Sequence, residues 1–391
     1  MATTAKTSGT FDFGLSAEEE RRAAALHSES IIWDWLSQHV GGPNIFTAYP
    51  AALQSEFSAL MASAGSGLGA YAQALRWPYR LALEGKSDLI KDWYLQSGMT
   101  VGTYSVAVYE SGDPKWPALE AMLDELFKLP WLRKVTKAEH ARQCKKDGVI
   151  GLYAHWQPLF PAPRSLEALT QAYNRGLRSF MLTYNRMDNI GVGCTERFDA
   201  GLSNYGIDVV RLCNEMGMIV DTSHCGHLTT MDACKFSKRP VNANHTSAKA
   251  LCSVPRAKSD DALKAIADTG GVIGVVTVPF FLSKERNSTI EAMLDHVEYI
   301  AELVGWRHVS IGTDWPLQAP ESVLEQTMRA EFLEHGFRPG DIDVTDRLVG
   351  FDDYRDLRNI TRGLVKRGFS DEQIRGVLGE NALRVFGEVC G

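Results

Sequence analysis

Short, nearly unbroken apolar runs recur along this chain at intervals that leave room for a helix between them. Eight can be marked: SIIWDW (30–35), VGTYSVAVY (101–109), GVIGLYAHW (148–156), SFMLTYN (179–185), GMIVDTSH (217–224), PVNANHT (240–246), GVIGVVTV (271–278) and HVSIGTDW (308–315). Most are continuous rather than alternating, the pattern of strands covered on both faces. Between them, SLEALTQAYNRG (165–176), NYGIDVVRLCNEMG (204–217), SDDALKAIADTG (259–270) and TIEAMLDHVEYIAELVG (289–305) place apolar residues at helical spacing. Several close on glycine, a common helix stop. SAEEERRAAALHSES (16–30) opens with a serine cap and acids in its first turn, so it too reads as a helix.

Eight strands alternating with helices predict an α/β fold, a (β/α)8 TIM-like barrel. Residues 1–15 read as a flexible tail and 16–391 as one domain. Residues 41–100, rich in Ala, Trp and Tyr, read as a helical insertion after strand 1. SDEQIRGVLGENALRVFG (370–387) supplies closing helices. A doubly wound open sheet is the alternative, but no GxGxxG or Walker pattern supports it. The GxG within AGSGLGAY (64–71) sits in a helical context and is weak evidence.

In a barrel the C-terminal ends of the strands converge on one mouth. Strand 3 then delivers His155, strand 4 Tyr184 and Asn185, strand 5 Asp221 and His224, strand 6 Asn244 and His245, and strand 8 Asp314. Imidazole and carboxylate are standard ligands of zinc and similar ions. A lone histidine at a strand end is usually structural. His224 and His245 on matching tips of adjacent strands stand above that background, and His155 in AHWQP could equally be packing. His27, His39, His140, His227, His296, His308 and His335 read as surface or structural residues.

Composition narrows the classes. The 391 residues are 45% hydrophobic and 23% charged, ordinary for a globular protein. A net charge of −7 with no basic block argues against nucleic acid and anionic membrane as partners. No secretory leader and no membrane span is legible. Seven scattered cysteines without a CxxC read as reduced thiols, hence a cytoplasmic expectation.

SFMLTYN, GLSNYGIDVVRLCNEMGMIVDTSH, SKRPVNANHTSAKALC, VPRAKSDDALKAIADTGGVIGV, HVSIGTDW and GVLGENALRVFG together resemble the membrane (renal) dipeptidase family, peptidase family M19, over roughly residues 100–390. The resemblance implies a (β/α)8 barrel with a binuclear zinc centre at the strand mouth. It implies that His224 and His245 ligate one zinc, that Asp314 is the catalytic aspartate, and that Arg256 in VPRAK holds the substrate carboxylate. It also marks departures. The family's first strand ends in His-x-Asp. Here Trp35 and Ser37, or Leu36 and Gln38 with a one-residue shift, stand in that place. The bridging glutamate after strand 3 gives way to YAHWQP, with His155 as its expected replacement. The family's carbonyl-polarising histidine after strand 4 appears as Tyr184.

These changes suggest one ion in place of two, most simply zinc, held by His155, His224 and His245. Asp314 would act as base or fourth ligand and Tyr184 as a hydrogen-bond donor. Arg256, Trp35 and Asn244 would contact a small-molecule substrate. Three functions follow: a hydrolase of a small carboxylated amide or dipeptide, a lyase or decarboxylase favoured by the aromatic tip Trp33 and Trp35, and a non-catalytic relative. A homodimer is expected from the family's habit.

Overall fold

The computed structural model describes residues 11–37, 41–64, 68–106, 124–158 and 165–391. His39, the end of the expected strand 101–109 and the glycine-rich 65–67 lie outside them. Among the described residues there are eight parallel strands: β1 (Val101–Val106), β2 (Leu132–Lys134), β3 (Ile150–Trp156), β4 (Leu177–Met181), β5 (Ile219–Asp221), β6 (Val241–Thr246), β7 (Ile273–Val275) and β8 (Val309–Ile311). Their order is β1-β3-β4-β5-β6-β7-β8. β2 was not expected. It lies beside the first half of β3, and β4 takes over beside the second half.

The expected first strand closes the ring without becoming a regular strand. Trp33 bridges Val101 of β1 and Asp34 bridges Ile311 of β8, both parallel. The Asp34 N–H donates to Val101 O (2.9 Å) and the Trp35 N–H to Ile311 O (3.0 Å). Residues 33–35 are thus the eighth stave of a TIM-like barrel, with β2 outside the ring. Several strands are shorter than their apolar runs. The runs continue into buried turns, which hydrophobicity alone does not separate from strand.

Helices follow the strands where the periodicity placed them: Leu166–Asn174, Asn204–Met216, Asp260–Asp268 and Ile290–Val304. Each begins on a Ser or Thr whose hydroxyl accepts an otherwise orphaned N–H: Ser165, Ser203, Ser259 and Thr289. Ser16 and Glu19 form a full capping box at the head of Ala17–Glu29. Between residue 35 and β1 the described chain is helical, with Asn44–Ala48, Ala51–Ala64, Leu68–Leu83 and Leu89–Ser97.

The period of two along β3 divides the interior. Leu152, Ala154 and Trp156 join the core shared with the helices, whereas Tyr153 belongs to a second cluster with Trp33, Trp35, Ile219 and Phe386. Tyr153 packs edge-on to Trp35 at 5.6 Å and its hydroxyl donates to Trp35 O. Phe386, from the C-terminal helix Asn381–Cys390, lies 4.8 Å from Trp33. This aromatic plug answers for Trp35. Its indole is core packing, and the expected substrate contact is withdrawn.

Asp34 sits at the closure and is fully buried. Its carboxylate accepts from Leu36 N (3.1 Å), Thr313 N (3.0 Å) and Thr313 Oγ1 (2.5 Å). Burial outweighs these bonds and pushes its pKa up to about 6 from 3.8. The carboxylate therefore costs stability as pH rises from about 4 through 6, by up to about 3 kcal/mol. Asp34→Asn keeps the shape and removes that charge. Thermal unfolding should show the variant more stable than the parent at pH 8, with the gain vanishing near pH 4. A difference independent of pH would show that burial does not govern this carboxylate.

Candidate metal and substrate site

His245 reaches the barrel axis because β6 breaks register there. The β6–β7 pairing steps from Ala243↔Ile273 to Thr246↔Val275, leaving Asn244 and His245 as a bulge. Two glycines make room. A Cβ on Gly274 would lie 1.9 Å from Asn244 O, and one on Gly312 would lie 1.8 Å from the same atom. His224 arrives from the turn after β5. The two rings meet with Nε2 atoms 3.0 Å apart and centroids at 5.0 Å.

Asn185 Oδ1 lies 2.6 Å from His224 Nδ1. That acceptor holds the proton on Nδ1 and leaves Nε2 bare, the tautomer a metal requires. Gln157 Nε2 approaches the same His224 Nε2 at 3.2 Å. Tyr184 stacks on the His224 ring at 4.1 Å, and His335 meets Tyr184 edge-on at 4.9 Å. Both imidazoles titrate well below their ordinary range, first because they are buried and next because the Arg256 charge is close. Both are therefore neutral. Burial keeps the Tyr184 phenol protonated.

His155 does not join the pair. Its Nδ1 lies 3.0 Å from Ser179 Oγ and its Nε2 3.5 Å from Asp221 Oδ2. The residue of YAHWQP beside the imidazoles is Gln157, two positions on and so on the same strand face. Among the described residues, no three His, Cys, Asp or Glu side chains are grouped to hold an ion. The three-histidine cage is replaced by a two-histidine meeting point.

The other expected residues divide. Asn244 is buried in the interior, where its Nδ2 donates to Ser179 Oγ at 3.1 Å. Asp314 follows β8 with φ 56° and is partly exposed, and its charge helps raise Tyr184. Arg256 is buried and its fork is occupied. It donates to Ser223 O and, at 3.0 Å, to His245 O, while Nε has no partner. It clamps the two turns that carry the imidazoles, so two of its five N–H donors are committed to carbonyls and the fork as a whole is not free for a substrate.

Lys258 was missed by sequence reasoning. It is buried, with Nζ donating to Cys225 O (2.7 Å) and Thr230 Oγ1 (3.0 Å). Burial lowers its pKa. Among the described residues neither Arg256 nor Lys258 pairs with a carboxylate. Asn185 and Gln157 were also missed as partners of the imidazole. The signal for Gln157 was available: strand period places 155 and 157 on one face.

The match to the family described as membrane dipeptidase (peptidase family M19) spans residues 121–333 and 339–390, more than half of the chain. The chain belongs to the membrane dipeptidase family. It is 30% identical over 250 residues to an uncharacterised dipeptidase of Schizosaccharomyces pombe, covering 62% of this chain. That stretch is 54% of the yeast protein, so the chain spans about half of its relative. An amidohydrolase from Pseudomonas aeruginosa superposes with TM-score 0.73 at 25% identity, covering 94% of this chain and 99% of that one. A metallopeptidase from Rhodobacter sphaeroides, solved with a phosphinate mimic of the dipeptide L-Ala-D-Ala, shares the fold at TM-score 0.61 and 19% identity. It covers 76% of this chain and 88% of its own. Among the described residues, no helix is long and apolar enough to cross a membrane.

The clamp gives Arg256 a structural duty that can be separated from substrate binding. Arg256→Ala leaves two buried carbonyls without donors and should destabilise the fold by about 2–4 kcal/mol. Denaturant unfolding in the absence of any substrate checks this. An unchanged midpoint would return Arg256 to a purely ligand-facing role.

Proposed function

We propose that this chain is a metal-dependent hydrolase of small carboxylated amides, dipeptides first among them, working with a single ion held by His224 and His245. The observation that carries the reading is the approach of two neutral imidazole nitrogens to 3.0 Å, one of them fixed as a bare lone pair by Asn185. Two nitrogens on one tetrahedral ion at roughly 2.0–2.1 Å would stand about 3.3 Å apart, so the pair fits with little movement. The described residues supply two ligands, leaving the other positions to water, substrate or a neighbour such as Gln157. The ion, when bound, supplies Lewis-acid polarisation of the substrate carbonyl. Zinc suits two imidazoles best.

One ion rather than two is favoured by the first stave. Where the family resemblance implies a His-x-Asp pair, this chain has Trp35, Leu36 and Ser37. The Trp33 and Trp35 rings are occupied with Tyr153 and Phe386. The lyase reading loses its motive for the same reason, since those indoles are core.

The chain's own residues then divide the work. Tyr184, a neutral phenol on the face of His224, donates a hydrogen bond to an oxyanion. Asp314, partly exposed beside it, takes and returns a proton. The unpaired charges of Arg256 and Lys258 favour an anionic substrate. The seven free cysteines suit a reducing, cytoplasmic compartment.

Protein loaded with zinc should hold about one ion per chain. It should hydrolyse members of a dipeptide panel, with products whose masses sum to substrate plus one water. His224→Ala and His245→Ala should lose the ion and the turnover together. A parent protein that takes up no ion, or that turns over nothing across the panel, would refute the assignment. Loss of carbon dioxide in place of water gain would revive the lyase.

A further inference from the structure

Four neighbouring strands each give one buried side chain to a closed polar ring beneath the imidazole pair. His155 of β3 meets Ser179 of β4 (3.0 Å). Ser179 accepts from Asn244 Nδ2 of β6 (3.1 Å). The Asn244 N–H donates to Asp221 Oδ1 of β5 (2.9 Å), and Asp221 Oδ2 faces His155 Nε2 at 3.5 Å. All four residues are fully buried.

Asp221 is the ring's link to the site. Its Oδ1 accepts from Ser223 N (3.0 Å), Ser223 Oγ (2.5 Å) and Asn244 N. Ser223 Oγ in turn accepts from His245 N (3.0 Å). One carboxylate oxygen therefore fixes the residue before His224 and the residue before His245. The other oxygen, Oδ2, has no hydrogen-bond partner, and neither has His155 Nε2 facing it. Ser179 Oγ accepts the Asn244 amide and lies against His155 Nδ1; a hydroxyl proton given to Nδ1 would put the imidazole proton on Nε2, on the side of Asp221.

We propose that His155 is a positioning residue: it holds the buried Asp221 carboxylate so that the turns of His224 and His245 bring their nitrogens to one point. The inference rests on the single-ion reading of that point. It assigns His155 a place beneath the ligands rather than among them. With its proton on Nε2 the imidazole would set an N–H dipole 3.5 Å from a buried carboxylate oxygen that has no other donor, a lack that is costly in this setting.

The test uses the intact protein and Co²⁺ alone, followed by visible absorption and calorimetry. His155→Ala should bind Co²⁺ roughly 10–100-fold more weakly, the usual range for losing an outer-shell partner, with a changed absorption envelope. His155→Gln puts an amide N–H where Nε2–H stood and should restore affinity to within about 3-fold of the parent. A ligand role predicts the opposite, since Gln does not replace imidazole on the ion. Imidazole NMR of the metal-free proteins gives an independent reading. The His224 and His245 ring signals should shift in His155→Ala and return in His155→Gln. Asp221→Asn should shift them as well, which keeps the test intact if His155→Ala does not fold. Unchanged ring signals in His155→Ala, or Gln as weak as Ala on the ion, overturns the proposal. A parent protein that ignores Co²⁺ overturns the single-ion reading instead, and the ring is then judged by the NMR shifts alone.

Discussion

The carboxylate of Asp221 accepts three hydrogen bonds through one oxygen in a place closed to bulk solvent, and all three donors belong to Ser223 and Asn244, the residues before the candidate ligands. A buried carboxylate is costly unless its lone pairs are answered, so this atom dictates where Ser223 and Asn244 must lie. Once they are placed, His224 and His245 have little choice of position. The bulge in β6 and the missing Cβ atoms of Gly274 and Gly312 are the backbone's side of the same arrangement. The site is thus assembled by hydrogen bonds between neighbouring strands, not by the ligand residues themselves.

Charge is distributed in layers. Below the imidazoles lies an aromatic plug built from Trp33, Trp35, Tyr153 and Phe386. Around the imidazoles lie depressed histidines, a protonated phenol and the buried cations Arg256 and Lys258, with the carboxylates of Asp221 and Asp314 nearby. Both cations hold backbone carbonyls, so they stabilise turns and set the local potential at once. The low-dielectric setting strengthens the field of each of those charges. It also keeps the imidazoles in the unprotonated state that a metal needs.

Much of the architecture was legible in the order of residues. Continuous apolar runs separated by capped amphipathic helices specify a parallel α/β barrel. The motifs around His224, His245 and Arg256 carried the family. What periodicity missed was short or conditional. Residues 33–35 pair through only two bridges, and β2 has three residues. Their extended form depends on neighbours far away in the chain. His155 was assigned to the ligands because it is an imidazole at a strand end, and Trp35 to substrate because it stands at another. Side-chain direction decided both cases. A strand alternates faces, but only the assembled barrel shows how deep each inward position lies.

The sequence by itself determined which elements form and which chemical groups gather at the strand ends, because hydrophobic period, caps and residue type are local properties. Only the tertiary structure decided which groups touch. It gave His224 to His245, Asn185 and Gln157, gave His155 to Asp221 and Ser179, and committed Arg256 to two carbonyls. The reason is physical: a hydrogen bond is settled within a few tenths of an ångström, and that precision comes from bulges, register and packing between strands distant in the chain.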